Sequence, residues 1–161
     1  MQTLGNCLRS TIAHNGRRNA IRDADRVLTW SEFGERVARA RGVLASLGLS
    51  AGDRYGVLAQ NSSRFEELKW AGFSAGIVPV PINWRLAPPE IRYILEDAAC
   101  KVLFIDRDFA VDLDHPELSA WKDKAVMLPD DYDQRLAAAA IVDPVRCEPD
   151  DDAILLYTGG T

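Results

Sequence analysis

The chain has 161 residues, of which 47% are hydrophobic and 27% charged, the proportions of a soluble globular protein of one domain. Its net charge is -5, with the acidic residues concentrated between Asp106 and Asp152 and no basic stripe, which argues against nucleic acid as a partner. No apolar run approaches the length that spans a bilayer, and Met1–Cys7 carries neither the charged nor the apolar region of a signal peptide, so a cytoplasmic protein is expected.

Taken in order, Leu4, Leu8 and Ile12 fall at helical spacing and predict a short amphipathic helix. Ala20–Asp23 and Arg26–Thr29 flank Ala24-Asp25 as two strands of a hairpin would. Thr29-Trp30-Ser31-Glu32 reads as a capping box. Phe33, Val37, Ala40, Leu44 and Leu47 then recur at steps of four and three, one apolar face of a helix, with Gly48 at its left-handed cap. Arg54–Ala59 reads as a strand buried on both faces. Asn61-Ser62-Ser63 offers N-caps, with Glu66 placed to complete a box with Ser63, opening a helix through Phe65, Leu68, Ala71 and Ala75.

Residues 77–82 are strand-like, but Pro79 and Pro81 remove ladder donors and predict an edge strand or an extended segment. Asn83–Leu86 is a loop, and Pro88-Pro89-Glu90 opens a helix that buries Ile91, Ile94, Leu95 and Ala98. Lys101–Asp106 is a buried strand with a solvated end. Residues 109–124 read as loop with a single helical turn near 117–121. A short strand at 125–128, a helix at 131–140 and an acidic linker at 141–152 follow. Ala153–Tyr157 reads as a last strand, running into Thr158-Gly159-Gly160-Thr161.

Strands near 54–59, 77–82, 101–106, 125–128 and 153–157, separated by helices or long crossovers, predict an α/β fold: a mostly parallel sheet with helices on both faces, in a single domain 1–161. Ligands of such sheets bind at the carboxyl ends of strands. A glycine turn bearing hydroxyls after a buried strand can present N–H and O–H donors to a phosphate. Gly-Gly after a strand is also a common loop, and Thr-Gly-Gly-Thr alone does not separate the two. Cys7, Cys100 and Cys147 are far apart and share no metal-ligand spacing with His14 or His115. They read as free thiols packed as small hydrophobes, and the histidines as surface residues.

An ordered set of segments resembles the N-terminal part of the adenylate-forming (AMP-binding) acyl-CoA synthetases and fatty-acid–CoA ligases, relatives of luciferases and peptide-synthetase adenylation domains. The set is Leu28–Phe33, Leu47–Leu58, Asn61-Ser62 with Glu66, Gly76–Leu86, Glu90–Asp106 and Asp150–Thr161. The resemblance implies a two-step reaction. A carboxylate attacks the α-phosphate of Mg-ATP, giving an acyl-adenylate and pyrophosphate, and the thiol of coenzyme A then displaces AMP. It assigns Thr158, Gly159, Gly160 and Thr161 to the ATP phosphates. Gly159 stands where many members carry Ser, which removes one hydroxyl. Arg85, in the Pro-x-Asn-x-Arg-Leu segment, is assigned to the coenzyme A side; the competing reading pairs it with Glu90 or Asp97. Trp84 either walls a channel or is simply packed.

The rest of the phosphate loop, the later acidic metal-binding residue, the ribose-binding Asp, the hinge and the catalytic Lys of the family lie outside this chain. No catalytic or metal-binding residue is therefore expected within 1–161, and the chain is expected to be an inactive fragment whose last strand exposes an apolar edge and drives self-association. The alternative is a stand-alone, non-catalytic nucleotide- or partner-binding module. A different Rossmann-type domain is disfavoured because no Gly-x-Gly-x-x-Gly follows the first strand.

Overall fold

The computed structural model describes residues 3–23 and 26–158. The elements are α1 (Leu4–Asn15), β1 (Asn19–Asp23), β2 (Arg26–Thr29), α2 (Trp30–Ser46), β3 (Arg54–Leu58), α3 (Ser63–Ala75), β4 (Val78–Ile82), α4 (Pro88–Asp97), β5 (Cys100–Asp106), β6 (Ala125–Leu128) and α5 (Asp130–Ala138). The 3-10 segments Arg107–Asp114 and Pro116–Lys124 join β5 to β6. Strands β3 to β6 form one all-parallel sheet in the order β4-β3-β5-β6, and β1 and β2 form a separate antiparallel hairpin. The hairpin turn at Ala24-Asp25 lies outside the described residues.

The predicted α/β architecture is present, and its two faces have different cover. On one face, Tyr55, Val57, Phe104, Val126 and Leu128 pack with Phe33, Val37 and Leu44 of α2, Leu68 and Ala71 of α3, and Tyr132 and Leu136 of α5. On the other, Leu58, Val80, Leu103 and Ile105 meet Ile91, Ile94 and Leu95 of α4 and Leu118 and Trp121 of the second 3-10 segment. Alternation along the strands sends successive side chains to opposite cores, so an unbroken apolar run is what this sheet requires.

The helix starts follow local chemistry. The Thr29 N–H donates to Glu32 Oε2 at 2.7 Å and the Glu32 N–H returns to Thr29 Oγ1 at 3.3 Å, the predicted capping box of α2. Gly48 has a φ of 77°, as its place after that helix requires. At α3 the expected box is displaced by one residue: Ser62 is the cap, accepting from the Phe65 N–H, and Ser63 is the first helical residue. Ser63 is drawn inside because its N–H donates to Asp23 Oδ2 at 2.7 Å, a tie to the hairpin 40 residues earlier. Residues 107–124 are more ordered than the single turn expected. Leu118 and Trp121 recur every third residue, the 3-10 repeat, and are buried.

The last predicted strand is not formed. Residues 153–158 have no regular structure, and a single backbone bond, Leu155 N–H to Pro79 C=O at 3.1 Å, links them to β4. Pro79 turns its carbonyl to the outer edge of β4, and Pro81 lies two residues on, facing the same way. Neither has an N–H, so this edge offers acceptors without the matching donors, and a second strand cannot complete a ladder on it. The edge position of β4 itself is as predicted.

Candidate functional site

The loops at the carboxyl ends of β4 and β5 meet across β3. After β4, Asn83 forms a turn: its side-chain Oδ1 accepts from the Arg85 N–H at 3.1 Å and its carbonyl from the Leu86 N–H at 3.1 Å. That turn lays the Trp84 ring flat on Phe109, from the segment after β5, with centroids 5.6 Å apart and planes at 17°. The Arg85 guanidinium lies 4.0 Å above the centre of the Trp84 ring. Trp84 and Phe109 pack against the second core, so the ring under the cation is held from below.

Arg85 is exposed, and among the described residues no carboxylate comes within ion-pair distance of it. The pairing with Glu90 or Asp97 does not occur because both are engaged elsewhere. Glu90 Oε2 accepts the Ala87 N–H at 2.8 Å, and Asp97 accepts the Tyr157 hydroxyl. Arg85 is therefore a cation-π-held guanidinium whose fork is open to an incoming anion.

Thr158 is exposed and follows Tyr157. Besides its bond to Asp97, Tyr157 sets its ring edge-on to Tyr93 at 6.5 Å. Burial and then the Asp97 carboxylate push the Tyr157 hydroxyl up to about 12. Asp97 closes the ten-residue helix α4, whereas Arg85 precedes its start; a helix of that length spans about 15 Å. Thr158 and Arg85 are thus anchored from opposite ends of α4, with no direct contact between them. Gly159, Gly160 and Thr161 lie outside the described residues. Cys100 is buried, as predicted, and its thiol is pushed up to about 12 by that burial; Cys7 and Cys147 are only half-buried. His14 and His115 are on the surface.

Sequence reasoning missed a buried ionic node between the hairpin and α2, α3 and α5. Glu67, fully buried, accepts Arg36 Nε at 2.5 Å, Arg36 Nη2 at 3.1 Å and the Tyr132 hydroxyl at 3.1 Å. Arg64 binds Asp133 through two hydrogen bonds, and Arg26 stands 3.8 Å from Glu67 and 3.9 Å from Asp133. Burial disfavours the charged form of Asp133, but Arg64, Arg26 and Arg36 outweigh it and hold its pKa below the ordinary carboxylate value. The available signal was an acid on the apolar face of α3: Ser63, Glu67, Ala71 and Ser74 share that face and are all buried.

The chain matches the family model described as AMP-binding enzyme over residues 8–161. It is 35% identical over 138 residues to the long-chain-fatty-acid–CoA ligase FadD13 of Mycobacterium tuberculosis, covering 83% of this chain and 27% of that protein. It is 29% identical over 163 residues to the fatty acid–[acyl-carrier-protein] ligase ScoC of Streptomyces coeruleorubidus, covering 31% of it. The N-terminal domain of FACL13 from Mycobacterium tuberculosis superimposes with a TM-score of 0.91 at 31% identity, over 99% of this chain and 42% of that one. The chain thus spans roughly a quarter to a third of the length of these curated relatives.

Proposed function

The chain belongs to the AMP-binding enzyme family, and from that membership we propose that residues 1–161 act as the N-terminal part of an ATP-dependent acid–thiol ligase of the acyl-CoA synthetase type. The longer protein would join a carboxylic acid to ATP, release pyrophosphate, and pass the acyl group to coenzyme A. The observation that carries the reading is the agreement of fold and sequence over nearly the whole chain with the N-terminal domain of FACL13 and with a Mycobacterium tuberculosis fatty acyl CoA synthetase. Within it, Thr158, Gly159, Gly160 and Thr161 take the ATP phosphates, brought as the magnesium complex, through backbone and hydroxyl donors that offset charge developing during adenylation. Arg85, open on its Trp84 platform, takes a phosphate of coenzyme A by its two-pronged guanidinium.

Among the described residues no group of three His, Cys, Asp or Glu side chains is placed to hold a metal ion, and no helix is long and apolar enough to cross a membrane. Free thiols fit a cytoplasmic setting. Leu156 in the terminal segment is 61% exposed, so residues 1–161 self-associate through the apolar surface of that segment.

The test is acid-dependent pyrophosphate release by the longer protein with Thr158→Ala and Arg85→Ala. Thr158→Ala should raise the KM for ATP. Arg85→Ala should raise the KM for coenzyme A more than that for ATP, and an unchanged coenzyme A constant removes Arg85 from the site. Micromolar ATP binding by residues 1–161 alone would favour the second reading, a self-sufficient nucleotide-binding module.

A further inference from the structure

Between α5 and the terminal segment, residues 139–147 cross α2 and α3. Little of this strap is held by burial: Ile141, Asp143, Pro144, Val145 and Arg146 are all exposed. It is held by hydrogen bonds from the two helices. Arg39 Nη1 donates to the Ala139 carbonyl at 3.1 Å, and Arg41 Nε to the Val142 carbonyl at 2.7 Å. Arg41 Nη1 donates to Ser74 Oγ at 2.9 Å, which ties the same guanidinium to α3. The Val142 N–H donates to the Ala38 carbonyl at 3.2 Å and the Val145 N–H to the Ser74 carbonyl at 2.9 Å.

Two residues of α2 have no other evident purpose. Arg41 is only 8% exposed, in a helix whose buried face is otherwise apolar. Gly42 sits in the helix interior, where glycine weakens a helix. A Cβ there would lie 2.2 Å from the Ala140 carbonyl oxygen, so glycine is what admits the strap. Arg41 thus holds the strap by the Val142 carbonyl, and Gly42 lets it approach. Beyond it, Cys147 turns its thiol to the Phe73 carbonyl at 3.7 Å, and eight residues later Leu155 makes its bond to β4.

We propose that Arg41 is a positioning residue: with Gly42 it latches residues 139–147 to the α2–α3 pair, the latch releases as a unit while the sheet stays folded, and its closure sets where the segment leading to Thr158 lies. A segment with few buried side chains and hydrogen bonds along one strip opens below the global unfolding free energy, and its bonds are lost together. The effect on the terminal turn rests on the polyphosphate reading above; the latch itself does not.

The chain carries its own reporters. Cys147 closes the latch and Cys100 is buried in the second core. In a Cys7→Ser background, thiol labelling of Cys147 reads latch opening and that of Cys100 reads global unfolding. Gly42→Ala and, separately, Arg41→Met should each accelerate Cys147 labelling by about tenfold or more, the factor carried by one charge-assisted hydrogen bond. In the Cys7→Ser protein itself, Cys147 labelling should be faster than that of Cys100 and depend less on urea, since a local opening exposes less surface than global unfolding. Equal urea dependence at the two cysteines, or no acceleration at Cys147 in the variants, overturns the latch. In the longer ligase, Gly42→Ala should raise the KM for ATP and leave that for the acid unchanged; an unchanged ATP constant, or equal rises in both, overturns the positioning role. Absence of ATP-dependent turnover in the unsubstituted protein would instead overturn the polyphosphate reading and leave the labelling result standing.

Discussion

Replacing Glu67 by Gln removes a charge from the most buried ionic contact of the chain with little change of volume. The carboxylate is fully buried and accepts two bonds from Arg36 and one from Tyr132. Breaking a buried ion pair from one side costs about 3–5 kcal/mol, because the surviving charge is left without its partner. Arg36 is 24% exposed and keeps Asp133 at 3.8 Å, which places the expected loss at the low end, about 3 kcal/mol. For a chain of this size that lowers Tm by about 6–12 °C. Tyr132→Phe leaves the Arg36–Glu67 pair intact and should cost about 1 kcal/mol. The double variant should cost less than the sum, since the Tyr132 bond is already weakened in Glu67→Gln. Urea unfolding followed by fluorescence, with an unchanged slope, measures all three. A loss below about 1 kcal/mol for Glu67→Gln, or strict additivity with Tyr132→Phe, would refute the view that this node ties the hairpin to the three helices.

Acid should destabilise the chain through its paired and hydrogen-bonded carboxylates. The Ser63 N–H holds Asp23 below the ordinary carboxylate value, Lys101 does the same for Asp53, and the surrounding arginines outweigh burial at Asp133. Their contribution is full above the unfolded value of 3.8 and is lost as pH falls through the lower folded values. Thermal melts should therefore hold steady from pH 7 to about 5 and decline steeply below about 4, and a melting temperature that stays flat to pH 2 contradicts this. Gly76→Ala forces a φ of 66° on a residue with a Cβ, which would also crowd Ala51 at 3.3 Å; a loss of about 1–2 kcal/mol in urea unfolding is expected. Thr29→Ala removes the α2 cap and should cost about 1 kcal/mol, whereas Ser63→Ala should not act as a cap deletion, because Ser62 holds that role.

What could be read in the sequence was local or repetitive. Thr29 and Glu32 cap α2 through residues three apart, the apolar face from Phe33 to Leu44 recurs at helical period, and the prolines of β4 announce an edge by chemistry that no packing can override. The order of these segments was enough to indicate the family. What was not legible depends on partners distant in sequence. Ser62 rather than Ser63 caps α3 because Asp23 takes the Ser63 N–H. Residues 153–157 have strand composition, but strand formation needs a donor-bearing neighbour and Pro79 and Pro81 supply none. Glu67 is marked only by its place on the apolar face of α3, and Tyr132 and Asp133 look like ordinary helix-surface residues until arginines from β2, α2 and α3 converge on the node. Asn83–Leu86 was legible as a loop after β4, but the seat of Arg85 on Trp84 and Phe109 required two loops to meet across β3.

The central claim is that this chain supplies the N-terminal, phosphate-clasping part of an acid–thiol ligase. The measurement that tests it most directly is pyrophosphate release from ATP by the longer protein and by residues 1–161, each against a panel of fatty and aromatic acids. The account predicts acid-dependent release from the longer protein, sharply reduced by Thr158→Ala, and none from residues 1–161. Release by residues 1–161 alone, or no acid-dependent release from the longer protein, would contradict it.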